Sequence, residues 1–355
     1  MRFRRLIPLS AALLALSSCS GAEPTDPRDT AAAEGAASVT VAFYPLEYVT
    51  SAIGGQWVSV TDLTTPGTDA HDLELTPQQL AAVTESDLVV YLSDFQPSVD
   101  DAITASSPQR VLDAAEAASL ESLAEEADHD EETDAEHDDH ADETDAEHDD
   151  HADETDAEHD DHADETDAEH DDHADDDGHD HGDLDPHFWL DPTRLASVAA
   201  AVAEELSAID PEHSDEFEAN LAELNAQLDE VDDHFTEGLA ECKIDTIITS
   251  HTAFGYLAER YGLHQVGIAG LSTQEEPSPA RIAEVQELAT EYGVTTIFFE
   301  TLASDAVAES IANDLGLATA VLDPVASIND QSAGADYPSV MEANLAAIRS
   351  ANECS

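Results

Sequence analysis

An acidic, histidine-rich repeat array divides this chain and limits which residues can form a folded core. The eleven-residue unit ETDAEHDDHAD begins at Glu132 and recurs without interruption, so that its fourth copy ends at Asp175. The surrounding tract, residues 128–183, contains 31 Asp or Glu residues, 11 His residues and neither Lys nor Arg. It has no apolar face at a helical or a strand period, so folding would not offset the entropy lost. We therefore predict that this tract is a disordered insertion within a folded domain.

On both sides of the tract, short apolar strands alternate with helical segments. The predicted strands are VTVAFY, WVSVTDL and DLVVYL in the first half of the chain and DTIITS, TTIFFE and TAVLDP in the second half. Alternation of this kind is typical of α/β proteins with parallel sheets. Two helices are predicted between the halves, over residues 192–209 and 212–240, because apolar residues recur at helical spacing on either side of Pro211. The sequence thus predicts two α/β lobes with one long helix between them.

The N-terminus has the pattern of a secretion signal. The basic segment MRFRR precedes the apolar run LIPLSAALLALSS, which is too short to cross a membrane as a helix. The ending LSSC resembles the bacterial lipobox, in which the cysteine is lipidated, and we predict this modification at Cys19. An ordinary secretory signal with an incidental cysteine is the alternative. Residues 1–18 are then the signal peptide, and the small, polar residues 19–38 are a flexible tether.

The charge of the chain argues against a nucleic-acid partner. The sequence has 82 acidic residues against 10 basic ones, a formal net charge of −72, and Lys243 is its only lysine. Phosphate binding depends on Lys and Arg side chains, which this chain almost lacks.

Polar residues at the predicted strand ends form a candidate metal site. His71 lies in the loop after WVSVTDL, His251 follows TIITS, and Asp323 follows TAVL. Ligands of parallel α/β lobes gather at these carboxyl ends of strands. Together with His187 in the segment DLDPHFWLDP, these three residues could form a complete four-coordinate shell for a zinc-like ion. Glu300, after TTIFF, is an alternative ligand, a hydrogen-bond acceptor that orients a ligand, or part of a structural pair.

Cys242 and Cys354 remain once Cys19 is assigned to lipidation. An even pair in an exported protein suggests a disulfide, which would limit fraying of the C-terminus. The competing interpretation is metal ligation, although neither cysteine has a nearby Cys or His at ligand spacing.

Four motifs give the chain a resemblance to a known family. GTDAHDLELTPQQL, DPHFWLDP, SHTAFGYLAERYGL and VLDPV resemble the metal-binding substrate-binding proteins of ABC transporters, in particular the zinc-uptake branch. The resemblance covers the chain from Val39 to Cys354. It implies two α/β lobes joined by a long rigid helix, with the metal in a cleft between the lobes. It also implies the pairing of Cys242 with Cys354.

The resemblance also implies roles for individual residues. The three histidine ligands of the family correspond to His71, His187 and His251, and its acidic position corresponds to Asp323. Some zinc-binding members use a Glu beside the first histidine or a water instead; that neighbour here is Ala70, which favours Asp323. Manganese-binding members have a carboxylate where His251 stands, and an imidazole at this position suits zinc better than a hard ion.

We therefore expect a non-enzymatic, monomeric lipoprotein that is anchored outside the cytoplasm, captures Zn²⁺ and delivers it to the membrane permease of an ABC transporter. A manganese or iron carrier is the alternative within the same class. A zinc hydrolase is a second alternative, for which Glu300 is the one general base that we can name. A metal-storage or adhesion lipoprotein acting through the acidic tract is a third.

The expected organisation follows from these assignments. The N-terminal lobe covers residues 39–190 and contains the tract, the linking helices cover 191–241, and the C-terminal lobe covers 242–355. We expect the tract to be an accessory metal-binding segment; a solubilising linker that expanded by repeat slippage is the alternative. The imidazoles that would bind metal are those of His129, His137, His140, His148, His151, His159, His162, His170, His173, His179 and His181.

Overall fold

The structure is a computed structural model that describes residues 35–121, 184–271, 277–302 and 305–355. The predicted signal peptide, the lipidation site Cys19 and the histidines of the acidic tract lie outside these residues.

A four-stranded parallel sheet forms the core of the first lobe. Its strands have the order β2-β1-β3-β4, and they are β1 (Ala37–Val41), β2 (Val58–Asp62), β3 (Leu88–Tyr91) and β4 (Val111–Asp113). Its helices are α1 (Tyr44–Gly54), α2 (Pro77–Glu85), α3 (Pro97–Ser106) and α4 (Ala114–Ala118). Strand β1 begins two residues before the expected start of the lobe at Val39, because Ala37 already pairs with Val58.

The second lobe repeats this strand order in another four-stranded parallel sheet. Its order is β6-β5-β7-β8, and the strands are β5 (Thr246–Thr249), β6 (His264–Gly267), β7 (Thr296–Phe299) and β8 (Ala318–Val321). Its helices are α7 (Gly255–Tyr261), α8 (Pro279–Glu291), α9 (Ala306–Leu315) and α10 (Tyr337–Ala351). Ile248 and Ile297 of the two central strands are fully buried and belong to one apolar cluster with Val285 of α8 and Ile311 of α9. This burial explains why the central strands are continuous apolar runs.

Two edge strands, β4 and β6, were not predicted from the sequence. Strand β4 has only three residues, all partly exposed, and β6 reads HQVG, with an exposed histidine at its first position. Among the described strands, each of the two has a partner on one side only. They are held in the sheet by backbone pairing with β3 and β5, which leaves little apolar pattern to detect.

The helices α5 (Pro192–Ile209) and α6 (Ser214–Leu239) follow the first lobe. The helix predicted over 192–209 is confirmed, and the one predicted over 212–240 begins at Ser214 and ends at Leu239. Helix α5 packs on α1 and α4, whereas α6 packs on α1 and on α10 of the second lobe. With 26 residues, α6 is about 39 Å long at 1.5 Å per residue. Among the described elements, α6 is therefore the long helix that contacts both lobes.

A disulfide between Cys242 and Cys354 ties the end of the chain to the start of the second sheet. Next to it, the carbonyl of Asn352 accepts hydrogen bonds from the backbone N–H groups of Lys243 and Ile244 at 3.1 and 3.2 Å. These contacts hold the end of α10 beside β5. Within the described residues, no helix combines the length and the apolar character that crossing a membrane requires.

Candidate metal centre

Three histidines from separate parts of the chain meet at the carboxyl ends of the two sheets. His71 lies in a single 3-10 turn after β2, His187 precedes α5, and His251 follows β5 by two residues. One potential ligand atom from each histidine lies within 4.8 Å of the other two. The Nε2 atoms of His71 and His187 are 3.2 Å apart. Two imidazole nitrogens at this distance, with a third close by, form a set that can bind a borderline metal ion.

The histidines line a small, partly open cavity. Its volume is ≈ 20 Å³, enough for about one water-sized occupant. His187 and His251 are 0% and 2% exposed, and His71 is partly buried. Glu300 and Asp323 line the same cavity. The site is therefore a buried space of ion size, and its walls come from both lobes.

Each of the two most buried histidines has a carboxylate partner on the side away from the cavity. Asp185 Oδ1 accepts hydrogen bonds from the backbone N–H of His187 at 2.9 Å and from its Nδ1 at 2.7 Å. Glu300 Oε1 accepts from His251 Nδ1 and from the hydroxyl of Ser250, the latter at 2.7 Å. A hydrogen bond at Nδ1 places the lone pair of a neutral imidazole on Nε2 and fixes the ring. Consistent with this, His251 Nε2 is buried and has no hydrogen-bond partner within the described ranges.

His71 is held by the backbone of its own turn. Asp69 precedes the turn, and its Oδ1 accepts the His71 backbone N–H at 3.0 Å. Burial, with the neighbouring imidazoles of His187 and His251, lowers the pKa of His71 from 6.5 to about 2. The side chain is therefore neutral at physiological pH, which is the protonation state that a metal ligand requires.

Asp323 approaches the cavity from β8 of the second lobe. It is 3% exposed, its Oδ1 accepts the Val325 backbone N–H at 2.8 Å, and its Oδ2 is buried without a hydrogen-bond partner among the residues that the structure describes. Burial raises the pKa of this carboxyl. Asp323 does not belong to the group of ligand atoms that lie within 4.8 Å of one another. A cation in the cavity would supply the counter-charge that Oδ2 lacks.

The structure thus brings His71, His187 and His251 together and places Glu300 and Asp323 on the wall of their cavity. Sequence reasoning did not identify Asp185, which holds His187. The sequence feature that could have identified Asp185 was its position two residues before His187, in the segment DLDPH.

Two lobes with the same strand order, and between them a buried cavity of ion size lined by imidazoles, define the class: a two-lobed α/β protein whose cleft can hold one metal ion. Within this class, the chain belongs to the family described as zinc-uptake complex component A, periplasmic, whose sequence profile matches residues 39–351.

Individual proteins support this assignment. The chain is 30% identical over 324 residues to the zinc-binding lipoprotein AdcA of Streptococcus pneumoniae (strain ATCC BAA-255 / R6), and 32% identical over 322 residues to the zinc-binding protein AdcA of Streptococcus pyogenes serotype M3 (strain ATCC BAA-595 / MGAS315). Both alignments cover 89% of this chain and 56% of the relative, so the chain spans about half the length of these curated relatives. The crystal structure of the Zn(II)-bound ZnuA-like domain of Streptococcus pneumoniae AdcA matches with a TM-score of 0.63 and 27% identity, covering 90% of this chain and 100% of that domain.

Proposed function

We propose that this protein captures Zn²⁺ outside the cytoplasm and delivers it to the permease of an ABC transporter. The observation that carries the proposal is the convergence of three imidazoles on one buried, ion-sized cavity. The names of the relatives agree with this proposal, since two are zinc-binding proteins and one solved domain is Zn(II)-bound.

The ligands in this proposal are His71, His187, His251 and Asp323. Three imidazoles and one carboxylate suit the tetrahedral coordination of zinc. Manganese prefers oxygen ligands, so a set dominated by nitrogen argues against a manganese carrier. Glu300 acts as the acceptor that orients His251, because its Oε1 already receives the Nδ1 hydrogen bond.

Capture without catalysis follows from the same ligand set. A hydrolytic zinc site keeps one coordination position open for water and needs a general base beside it. In this site the fourth position is assigned to Asp323, and Glu300, the one base that we named for a hydrolase, is engaged with His251 and Ser250.

Attachment to the membrane through Cys19, action as a monomer and docking to a permease complete the proposed function. Cys19 lies outside the described residues, and the case for lipidation rests on the LSSC motif. A lipid anchor would keep the carrier at the membrane surface, where the permease lies.

The acidic tract is proposed as an accessory metal-binding segment. Its residues lie outside the described part of the chain, but the residues that flank it meet, because the Asp185 backbone N–H donates to the Glu121 carbonyl at 3.1 Å. The tract therefore ends four residues before the proposed ligand His187. The closeness of Glu121 and Asp185 also means that residues 128–183 can be deleted without pulling the folded ends apart.

Competitive zinc titration with a chromophoric chelator tests the proposal. We expect the wild type and a variant lacking residues 128–183 each to keep one tight zinc site, and the double variant H71A/H251A to lose it. The matched control is H213A/H234A, which also removes two imidazoles but outside the cavity. If H71A/H251A keeps tight binding and the deletion abolishes it, the tract is the metal-binding device and the cleft proposal is wrong. Displacement of zinc by equimolar Mn²⁺ would instead favour the manganese carrier.

A further inference from the structure

The turn that carries Asp323 has an unusual backbone. Val325, two residues later, has φ of +57° and is fully buried. A β-branched residue rarely adopts this left-handed conformation, which persists only where surrounding contacts impose it. One such contact is the hydrogen bond from the Val325 N–H to Asp323 Oδ1; the other oxygen, Oδ2, is buried and has no hydrogen-bond partner in the part of the chain that the structure describes.

A second contact on this turn comes from the first lobe. The indole Nε1–H of Trp189 donates to the carbonyl of Pro324 at 2.7 Å. Pro324 stands between Asp323 and Val325, so this hydrogen bond holds the middle of the turn. It links the segment that carries His187 to the segment that carries Asp323.

Trp189 is itself firmly fixed. Its side chain is fully buried and packs against Phe43 and Phe95, with ring centroids 4.9 and 5.7 Å away. Its backbone carbonyl accepts the hydroxyl of Tyr337 at 2.7 Å, and its ring lies 5.3 Å from that of His187. An indole held in this way is rigid, so its N–H can fix the position of the Pro324 carbonyl.

We propose that Trp189 is a positioning residue for the fourth zinc ligand. It acts through the Pro324 carbonyl, which sets where Asp323 Oδ2 stands relative to the histidines, together with the Asn344 side chain, which is hydrogen-bonded to the Asp323 N–H and carbonyl at 2.9 and 2.7 Å. The inference rests on the proposed function, because it takes Asp323 as a ligand. It adds that the hydrogen bond between the lobes, from Trp189 to Pro324, forms together with the coordination of zinc by Asp323. Loss of the indole N–H therefore weakens zinc binding although every ligand is still present.

A double-mutant cycle on zinc affinity tests this role, with W189F, D323A and W189F/D323A. Phenylalanine keeps an aromatic ring but removes the N–H donor. We expect W189F to lower zinc affinity about 10-fold in the wild-type background, within the range found for groups that support a metal ligand, and to have no further effect in D323A. The matched control W57F changes the other tryptophan of the chain, which stacks on His213 with ring centroids 3.6 Å apart. It should leave the affinity unchanged. An equal loss from W189F in both backgrounds, or no loss at all, would overturn the proposal.

Hydrogen exchange of the two indole N–H groups gives a readout that does not require W189F to fold. Since the chain has two tryptophans, W57F identifies both resonances. We expect zinc to slow exchange of the Trp189 Nε1–H about 10-fold in the wild type and not in D323A; equal slowing in both proteins would reject the coupling. If the proposed function itself is wrong, H71A/H251A will bind zinc as tightly as the wild type. A failed coupling, by contrast, leaves the zinc loss in H71A/H251A intact.

Discussion

His251 and Glu300 follow neighbouring parallel strands, β5 and β7, and are hydrogen-bonded through Nδ1 and Oε1. This pair stands at the point where the strand order of the second sheet reverses, between β5 and β7, which is where α/β proteins place their ligands. The carboxylate fixes the ring and makes its free nitrogen more basic, so its charge contributes to the affinity of the site.

Neutralising Glu300 should therefore weaken zinc binding. In E300Q we expect the zinc affinity to fall about 10- to 100-fold, since an amide supports the imidazole less strongly than a carboxylate. The measurement is competitive titration against a chelator. The matched control is E342Q, which alters another Glu–His pair, with His234, on the exposed surface. An affinity of E300Q equal to that of the wild type would mean that the charge of Glu300 does not support zinc binding.

Removing the partner of His187 should affect both binding and stability. In D185A, the His187 backbone N–H and Nδ1 lose their buried acceptor, and we expect the zinc-free protein to lose about 1–3 kcal/mol of unfolding free energy. Zinc affinity should fall about 10- to 100-fold because the ring is no longer held. Urea unfolding and zinc titration measure the two effects.

The control for this variant is D210A. Asp210 Oδ2 accepts from His213 Nδ1 at 2.6 Å, so the same kind of pair is broken at a place away from the cavity. D210A should keep the zinc affinity of the wild type. If D185A does so too, Asp185 stabilises the fold without preparing the ligand.

The sequence predicted those parts of the fold that depend on local pattern. The central strands around Ile248 and Ile297 were identified because burial on both faces makes them continuous apolar runs. The edge strand that begins at His264 was missed because backbone pairing with β5, rather than an apolar side-chain pattern, holds it in the sheet.

The candidate site was predictable to a similar degree. The strand-end rule and the family resemblance pointed to all three histidines, which the structure brings together. The supporting contacts were not predictable. The partner of His187 lies two residues away in the chain, but Pro324 and Trp189 are 135 residues apart, and only the folded arrangement of the lobes joins them.

Asp62 should make the stability of the protein depend on pH. It ends β2, and burial, together with the charge of Glu47, raises its pKa from 3.8 to about 8, although its carboxylate accepts the Thr64 N–H. Between pH 4 and 8 the folded state therefore holds a proton that the unfolded state has lost. The contribution of Asp62 to the free energy of unfolding is fully present below about pH 4. It is lost as the pH rises, by at most about 1.4 kcal/mol per pH unit.

The variant D62N isolates this effect because asparagine keeps the acceptor for Thr64 but does not titrate. We expect D62N to gain stability relative to the wild type as the pH is raised from 5 to 8, measured by urea unfolding at each pH. Because Glu47 is coupled to Asp62, the control E47Q and the double variant E47Q/D62N separate its titration from that of Asp62. A difference between D62N and the wild type that stays constant with pH would show that Asp62 is ionised in the folded state at neutral pH.

Reduction of the disulfide between Cys242 and Cys354 should destabilise the protein. The bridge closes a loop with a sequence separation of 112 residues, and such cross-links typically contribute about 2–5 kcal/mol by restricting the unfolded chain. Urea unfolding with and without a phosphine reductant measures this loss. The double variant C242A/C354A should unfold at the midpoint of the reduced wild type and should not respond to the reductant. Zinc affinity should change little in either case, because the bridge joins the ends of α6 and α10 and no ligand lies on these helices. A reduced protein as stable as the oxidised one would show that the Asn352 backbone contacts hold the C-terminus without the bridge.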